Sequence, residues 1–343
     1  MASSTTSSKP FEYSPPAYFE ASSRVPKWLQ AWLVDAFVFV MIHYNLWLVP
    51  VTVLFYYLYH IGYGLYVVAL VALYIPRFVD GSEFTSHGRP WQWLWETPLW
   101  RLCSSFLRVK IIREQELDPK KQFIFGFHPH GIIIFSRMAW FGGSWEKLFP
   151  GITARLLGAT AVFKIPLARE LGLWLQTVDA SRSTAEKVIK DGKSILVYPG
   201  GVAEIFLTDP KSKETKIVLK SRLGFVKMAI RHGAELVPVF VFGEKWLYNV
   251  WTPPKRVVAL VRKTLKIPII LFWGRFLWMP KQLPQGKAFG VVYGKPIPTT
   301  QNSEPSHEEV QALHTLYMSE IERLFEQYKL RYGYDADETL AII

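Results

Sequence analysis

Apolar residues run almost unbroken from Trp28 to Pro76; over these 49 residues Lys and Arg are absent and Asp35 is the only formal charge. One bilayer-crossing helix needs about 20 such residues, so the run could supply two crossings and a turn. Polar His43, Tyr44 and Asn45, followed by Pro50, mark the expected turn. Arg24 and Lys27 flank one side and Arg77 the other, which places both ends in the cytosol. The pattern predicts a transmembrane helical hairpin over residues 28–76. A buried core hairpin of a soluble protein is the competing reading, and apolar helices of this length are rare in soluble domains. Residues 1–27 are rich in Ser, Thr and Pro with no apolar run before Val25; they read as a disordered cytosolic tail rather than a signal peptide. Residues 77–122 interleave Trp91, Trp93, Trp95, Trp100 and Phe106 with charges, the mark of a segment lying on the membrane interface.

Beyond residue 122 the period changes. Phe123–Phe127 reads as a strand that stops at two histidines, a proline and a glycine. The sequence Ser183-Thr184-Ala185-Glu186 is a capping box for a helix ending at Gly192, and a buried strand at 194–198 ends in Pro199-Gly200-Gly201. A helix with Phe225, Val226, Ala229 and Ile230 on one face stops at Gly233 and leads into a strand over 236–243. Strands alternating with helices predict an α/β domain over residues 123–300 with a mostly parallel sheet. Residues 257–279 are apolar but broken by Arg262, Lys263, Lys266 and Arg275, and read as a second membrane contact. A last unit, 301–343, opens a helix at the capping box Ser306-His307-Glu308-Glu309; its stripe of Val310, Leu313, Tyr317, Ile321, Leu324 and Tyr328 is suited to docking on the body.

Composition sharpens the membrane reading. The 14 Trp and 16 Tyr suit a membrane–water boundary. The net charge is +12, yet residues from 301 onward carry nine acidic against three basic side chains, so the first 300 hold +18. A basic body suits anionic lipid headgroups or an anionic co-substrate such as coenzyme A. Nucleic acid is disfavoured because the cations are dispersed and no zinc spacing or RNA-binding motif is present. Cys103 is the only cysteine, so no intramolecular disulfide can form; packing explains it better than nucleophilic chemistry.

Chemistry concentrates at the strand ends, where open α/β sheets bind ligands. His130, just past the 123–127 strand, suits a general base near neutral pH, with His128 alongside. Glu204 follows the Gly-rich turn after the next strand, where a carboxylate can fix the imidazole tautomer. Backbone donors at Gly131, Gly200 and Gly201 could face an oxyanion. His128 and His130 could chelate a metal, but spacing places no third ligand, and none is assigned. Gly192-Lys193-Ser194 resembles the end of a phosphate-binding loop; Lys187 stands where that motif needs Gly, so it is rejected. Arg222 and Lys227, at a helix entry, offer positive charge together with an N-terminal dipole.

In combination, His128-Pro129-His130-Gly131, Pro199-Gly200-Gly201 with Glu204, Arg222-x-Gly224-Phe225, His232-Gly233-Ala234-x-Leu236-Val237-Pro238 and Phe242-Gly243-Glu244 resemble the type 2 diacylglycerol acyltransferase family. The resemblance spans about residues 28–300. It implies a glycerolipid-acyltransferase-like α/β body, His130 as base with Glu204 as partner, Arg222 and Lys227 near acyl-CoA, and no cofactor beyond that co-substrate. The wider glycerolipid acyltransferases carry Asp five positions after the His; Phe135 stands there in this chain, so the acid must come from elsewhere. The expected reaction is acyl transfer from acyl-CoA to diacylglycerol at the endoplasmic reticulum membrane or lipid droplets, body facing the cytosol, in an enzyme that can self-associate. Monoacylglycerol and fatty alcohol, which would give wax esters, are the alternative acceptors. A hairpin-anchored lipid-droplet scaffold is the non-enzymatic alternative; retention of both His130 and Glu204 disfavours it.

Overall fold

The computed structural model describes residues 9–20, 22–251 and 271–343. Its strands are β1 (Phe11–Tyr13), β2 (Lys110–Arg113), β3 (Phe123–His128), β4 (Ala154–Gly158), β5 (Thr177–Asp179), β6 (Ser194–Val197), β7 (Glu214–Ile217), β8 (Glu235–Phe242), β9 (Asn249–Trp251), β10 (Leu271–Trp273), β11 (Gly290–Tyr293) and β12 (Thr339–Ile342). Eight of them form one sheet in the order β1-β2-β11-β8-β3-β6-β4-β5. From β8 to β5 every neighbour runs parallel, as the alternating pattern predicts. β11 is antiparallel to β8 and parallel to β2, and β1 closes the edge antiparallel to β2. β3 is buried along its whole length, as a central parallel strand covered on both faces must be.

Each face of β3 has its own core. Phe125 and Phe127 pack with Trp140, Trp145 and Tyr293 on one side. Ile124, Leu236, Phe240 and Leu324 pack on the other. The C-terminal helix His307–Tyr328 starts at the predicted capping box, with Ser306 Oγ accepting from the Glu309 N–H at 3.2 Å and Glu309 Oε2 from the Ser306 N–H at 2.9 Å. Its stripe docks against β3, where the Tyr317 hydroxyl donates to the Gly126 carbonyl at 2.9 Å. Any Cβ at position 126 would overlap that hydroxyl, so Gly126 lets the helix approach the strand just before the site.

Several local expectations shift. Helix Arg182–Lys190 starts from Ser181 rather than at the Ser183–Glu186 box, because Asp179 Oδ1 accepts the Ser181 N–H at 2.8 Å and fixes the entry earlier. Phe11–Tyr13, inside the expected disordered tail, pairs with β2; Arg113 lies over the Phe11 ring and Glu12 pairs with Arg331. Of the aromatic segment, Trp91 and Trp93 are exposed, but Trp100 and Phe106 belong to the body core. Cys103 is also buried there, and burial pushes its thiol up to about 12, which suits packing rather than nucleophilic chemistry.

The apolar N-terminal run divides differently from expectation. α1 (Lys27–Ile42) buries Val38 and Ile42 in the body core, and its Asp35 pairs with Arg275 at 2.6 Å. His43, expected in a membrane turn, is buried and accepts from the Trp278 N–H at 3.0 Å. Pro50 sits in the first turn of α2 (Leu48–Leu58), where a missing N–H costs nothing. α2 continues through Tyr59–Tyr63, where Gly62 takes φ +96°, into α3 (Gly64–Phe78). Neither α2 nor α3 buries a residue, and Leu48–Phe84 has the length and apolarity of a membrane span. Trp47, before α2, and Tyr74 and Arg77, late in α3, line one cavity of about 450 Å³ with Leu171 and Trp174. Of the expected second membrane contact, residues 257–270 lie outside the described residues; beyond them Phe276 and Leu277 are exposed.

The foot of α3 is clamped to the body by Arg169, which is fully buried. Its guanidinium donates to the Arg77 carbonyl at 2.9 Å, to Asp80 Oδ1 at 2.7 Å and to Glu83 Oε2 at 2.6 Å. Beside it, Glu170 Oε2 accepts from the Tyr74 hydroxyl at 2.6 Å. Replacing Arg169 by Leu leaves buried Glu83 without its cation and Asp80 with Arg89 alone, and removing one partner of a buried pair costs about 3–5 kcal/mol. Arg169→Leu is therefore expected to melt earlier and to open the Arg77–Arg89 segment to trypsin, whereas unchanged cleavage and melting would make the clamp dispensable.

Candidate active site

β3 carries His128 to the carboxyl end of the sheet, and Pro129 leads from the strand's last residue to His130. His128 is fully buried, whereas His130 is partly exposed. Two strands of the parallel set converge here, because β3 pairs directly with β6 and with β8. β6 is followed by the Tyr198–Gly201 turn and the short helix Val202–Ile205, which carries Glu204 inward. β8 is followed by Gly243 and Glu244.

Glu204 is buried, and its carboxylate ties three segments together. Oε2 accepts from the His130 backbone N–H at 2.6 Å, and Oε1 accepts from the Val218 N–H at 2.9 Å. The same Oε1 lies 3.5 Å from Nδ1 of His128. Gly200 is required by contact, since a Cβ there would overlap the Glu204 carboxyl. The expected pairing of Glu204 with the His130 ring takes another form: the carboxylate holds the His130 main chain and faces the His128 ring.

The His130 ring is oriented by its own loop. Nδ1 lies 2.9 Å from the Gly131 carbonyl oxygen, a group that can only accept, so the hydrogen sits on Nδ1 and the Nε2 lone pair is left free. The ring meets the Tyr198 ring edge-on at 5.4 Å, and the Tyr198 hydroxyl is within 2.7 Å of Ser136 Oγ. Burial lowers the His130 proton affinity from its ordinary value; the hydrogen bond to Gly131 and the Glu204 charge oppose that shift. His130 is therefore neutral near pH 7, the state a proton acceptor needs.

The glycines divide by where their N–H groups go. Gly201 donates to the Tyr198 carbonyl at 3.0 Å, so that N–H is already engaged. The N–H groups of Gly131 and Gly200 have no protein acceptor among the described residues. Gly131 takes φ +69°, a left-handed conformation natural to glycine.

The sequence has known relatives. A family model described as diacylglycerol acyltransferase matches residues 57–343. The 2-acylglycerol O-acyltransferase 1 of Mus musculus is 35% identical over 78% of this chain and 84% of its own length. The diacylglycerol O-acyltransferase 1 of Schizosaccharomyces pombe is 31% identical over 76% and 78%. The diacylglycerol O-acyltransferase 2A of Umbelopsis ramanniana is 32% identical over 75% and 76%. The chain belongs to the diacylglycerol acyltransferase family.

In this acyltransferase the cationic side chains expected near the site stand on the segment that Glu204 holds. Four residues after Val218 comes Arg222, and helix Gly224–His232 then carries Lys227. Both side chains are exposed, as is Lys220, and none has an acidic partner within ion-pair distance among the described residues. His314 on the C-terminal helix braces this segment from behind, its Nε2 being 3.1 Å from the Leu219 carbonyl oxygen. Sequence reasoning missed the Val218 N–H and the Ser136–Tyr198 pair, neither of which any motif marks. It quoted Glu244 within the Phe242-Gly243-Glu244 motif without giving it a part.

Glu204→Gln keeps the side-chain shape but turns an amide N–H₂ toward one of two N–H donors. Activity is expected to fall by at least about tenfold, with a shift in the pH–rate profile, because the His130 loop loses its anchor and its nearest negative charge. An unchanged rate and profile would reduce Glu204 to a turn residue.

Proposed function

We propose that this family member moves a fatty acyl group from acyl-CoA to the free hydroxyl of diacylglycerol, giving triacylglycerol, with His130 as general base. The observation that carries the reading is the tautomer: Nδ1 is hydrogen-bonded to the Gly131 carbonyl, and Nε2 has no partner among the described residues. Nε2 takes the acceptor hydroxyl proton as that oxygen attacks the thioester carbonyl carbon. The tetrahedral oxyanion lies against the N–H groups of Gly131 and Gly200. Collapse breaks the carbon–sulfur bond, and the imidazolium returns its proton to the departing thiolate, which leaves neutral His130 and free coenzyme A. Glu204 favours the transient imidazolium through its charge, with His128 beneath it. Arg222 and Lys227 hold the phosphates of coenzyme A at the start of their helix.

The apolar run brings this chemistry to an insoluble substrate. We read α2 and α3 as a re-entrant hairpin turning at Tyr59–Gly64 in place of the His43–Pro50 turn. At 11 and 15 residues the two helices reach about 16 and 22 Å, short of the roughly 30 Å hydrocarbon core. Such an element enters one leaflet and returns, which keeps the body on the cytosolic face of the endoplasmic reticulum and suits a lipid-droplet monolayer equally. A two-chain lipid, stabilised in the bilayer by about 0.8 kcal/mol per buried CH₂, does not have to leave it.

The relative named for 2-acylglycerol favours a second reading, with monoacylglycerol as acceptor. Membranes containing the protein, given labelled acyl-CoA and a panel of monoacylglycerol, diacylglycerol and fatty alcohol, separate the two. The expected product is triacylglycerol, lost by about 10²–10⁴-fold in His130→Ala; diacylglycerol as the dominant product would establish the second reading, and near-normal turnover by His130→Ala would remove the base. Arg222→Ala is expected to raise the KM for acyl-CoA more than that for the acceptor lipid, and the opposite ranking would assign the basic helix to headgroups.

A further inference from the structure

Glu244 is a buried acid of the site to which acyl transfer by His130 assigns no part. It follows β8 through Gly243, which takes φ +83°, and its side chain is 2% exposed. Oε1 accepts from the Phe135 N–H at 2.8 Å; Oε2 has no hydrogen-bond partner among the described residues. The carboxyl lies so close to Gly131 that a Cβ at that position would overlap it. Thus one side chain from β8 touches both ends of the Gly131–Phe135 turn, which begins at the carbonyl that orients His130.

Among the described residues no cation pairs with this acid. Lys245, the next residue, turns to Glu338 and to the Ser212 carbonyl. Among the described residues, the phenols of Tyr198, Tyr248 and Tyr334 lie close enough to feel Glu244. Each is engaged elsewhere: Tyr198 with Ser136, Tyr248 with the Trp278 carbonyl, and Tyr334 with the Gly243 N–H. Charge without a counter-ion is expensive in such surroundings, and burial holds the acid in its neutral form well above the ordinary carboxylate range.

We propose that Glu244 is a positioning residue for acyl transfer: packed under Gly131 and bonded to Phe135, it braces the turn whose first carbonyl sets the His130 ring. The inference rests on the reading of His130 as base. Glu244 does not touch the reacting atoms. Its effect is on how often Nε2 points at the acceptor hydroxyl, and a displacement of about 1 Å there is worth about 10² in rate.

The test compares Glu244→Gln, Glu244→Asp and Glu244→Leu in the full-length membrane enzyme, with His130→Ala alongside. Gln retains the carbonyl acceptor for Phe135 and the neutral state; Asp withdraws the carboxyl by one CH₂; Leu removes the acceptor. The expected result is a rate within about threefold of wild type and an unchanged pH profile for Gln. Asp and Leu should lose about 10²-fold in kcat, with little change in the KM for acyl-CoA. Melting gives a second readout. The unfolded acid ionises near its ordinary value while the folded acid stays neutral, so wild-type stability falls as pH rises through that window. The Gln variant lacks this loss, and its melting advantage should grow from pH 5 to 8. Wild-type kcat in both Asp and Leu, or a Gln variant as slow as Leu with a shifted profile, would overturn the proposal. Full activity in His130→Ala would remove the base reading itself, and the proposal with it.

Discussion

One buried carboxylate organises the carboxyl end of the sheet. Glu204 bonds to the His130 main chain and to Val218, and it lies against the His128 ring, so three segments distant in sequence are fixed to the same two oxygens. A carboxyl at such depth needs hydrogen-bond donors, and two backbone N–H groups provide them here. The consequence reaches outward. The Val218 bond holds the segment that presents Arg222, and the His130 bond holds the loop whose next carbonyl sets the imidazole.

A second carboxyl, Glu244, lies on the other side of the same loop under opposite physics. Glu204 accepts from two backbone N–H groups, whereas Glu244 has a single donor among the described residues and burial raises its proton affinity well above the ordinary carboxylate range. Between them the His128–Phe135 loop has an acid on each flank. Gly131 and Gly200 are the positions where these carboxyls come too close for any Cβ, so the glycines follow from the acids they face. Elsewhere, Arg169 joins the foot of α3 to the body through the Arg77 carbonyl and Asp80.

Much of this was legible in the sequence because its signals are local. The apolar run into His128, the Gly-rich turn before Glu204 and the capping box at Ser306 each announce an element within a few residues, and each element is present. The parallel sheet followed from alternation, and the diacylglycerol acyltransferase resemblance from ordered motifs. What was not legible depends on distant partners. α1 looks like a membrane helix in composition, yet Val38, Ile42 and His43 find the body core and Trp278, more than 200 residues away. Phe11–Tyr13 reads as a tail until β2 and Arg331 are beside it. The sequence paired Glu204 with the His130 ring, but only the fold shows that its carboxylate holds the His130 backbone N–H.

The central claim is that a neutral His130, hydrogen on Nδ1 and lone pair on Nε2, accepts the proton in acyl transfer. The most direct measurement is the pH dependence of kcat/KM for the wild-type enzyme, which reports the ionisation of the base in the free protein. Burial lowers the proton affinity of His130, so protonation should switch the enzyme off only below the ordinary histidine value of about 6.5. The account predicts an acid limb centred below that value with full activity at neutral pH; a limb centred above pH 7 would contradict it.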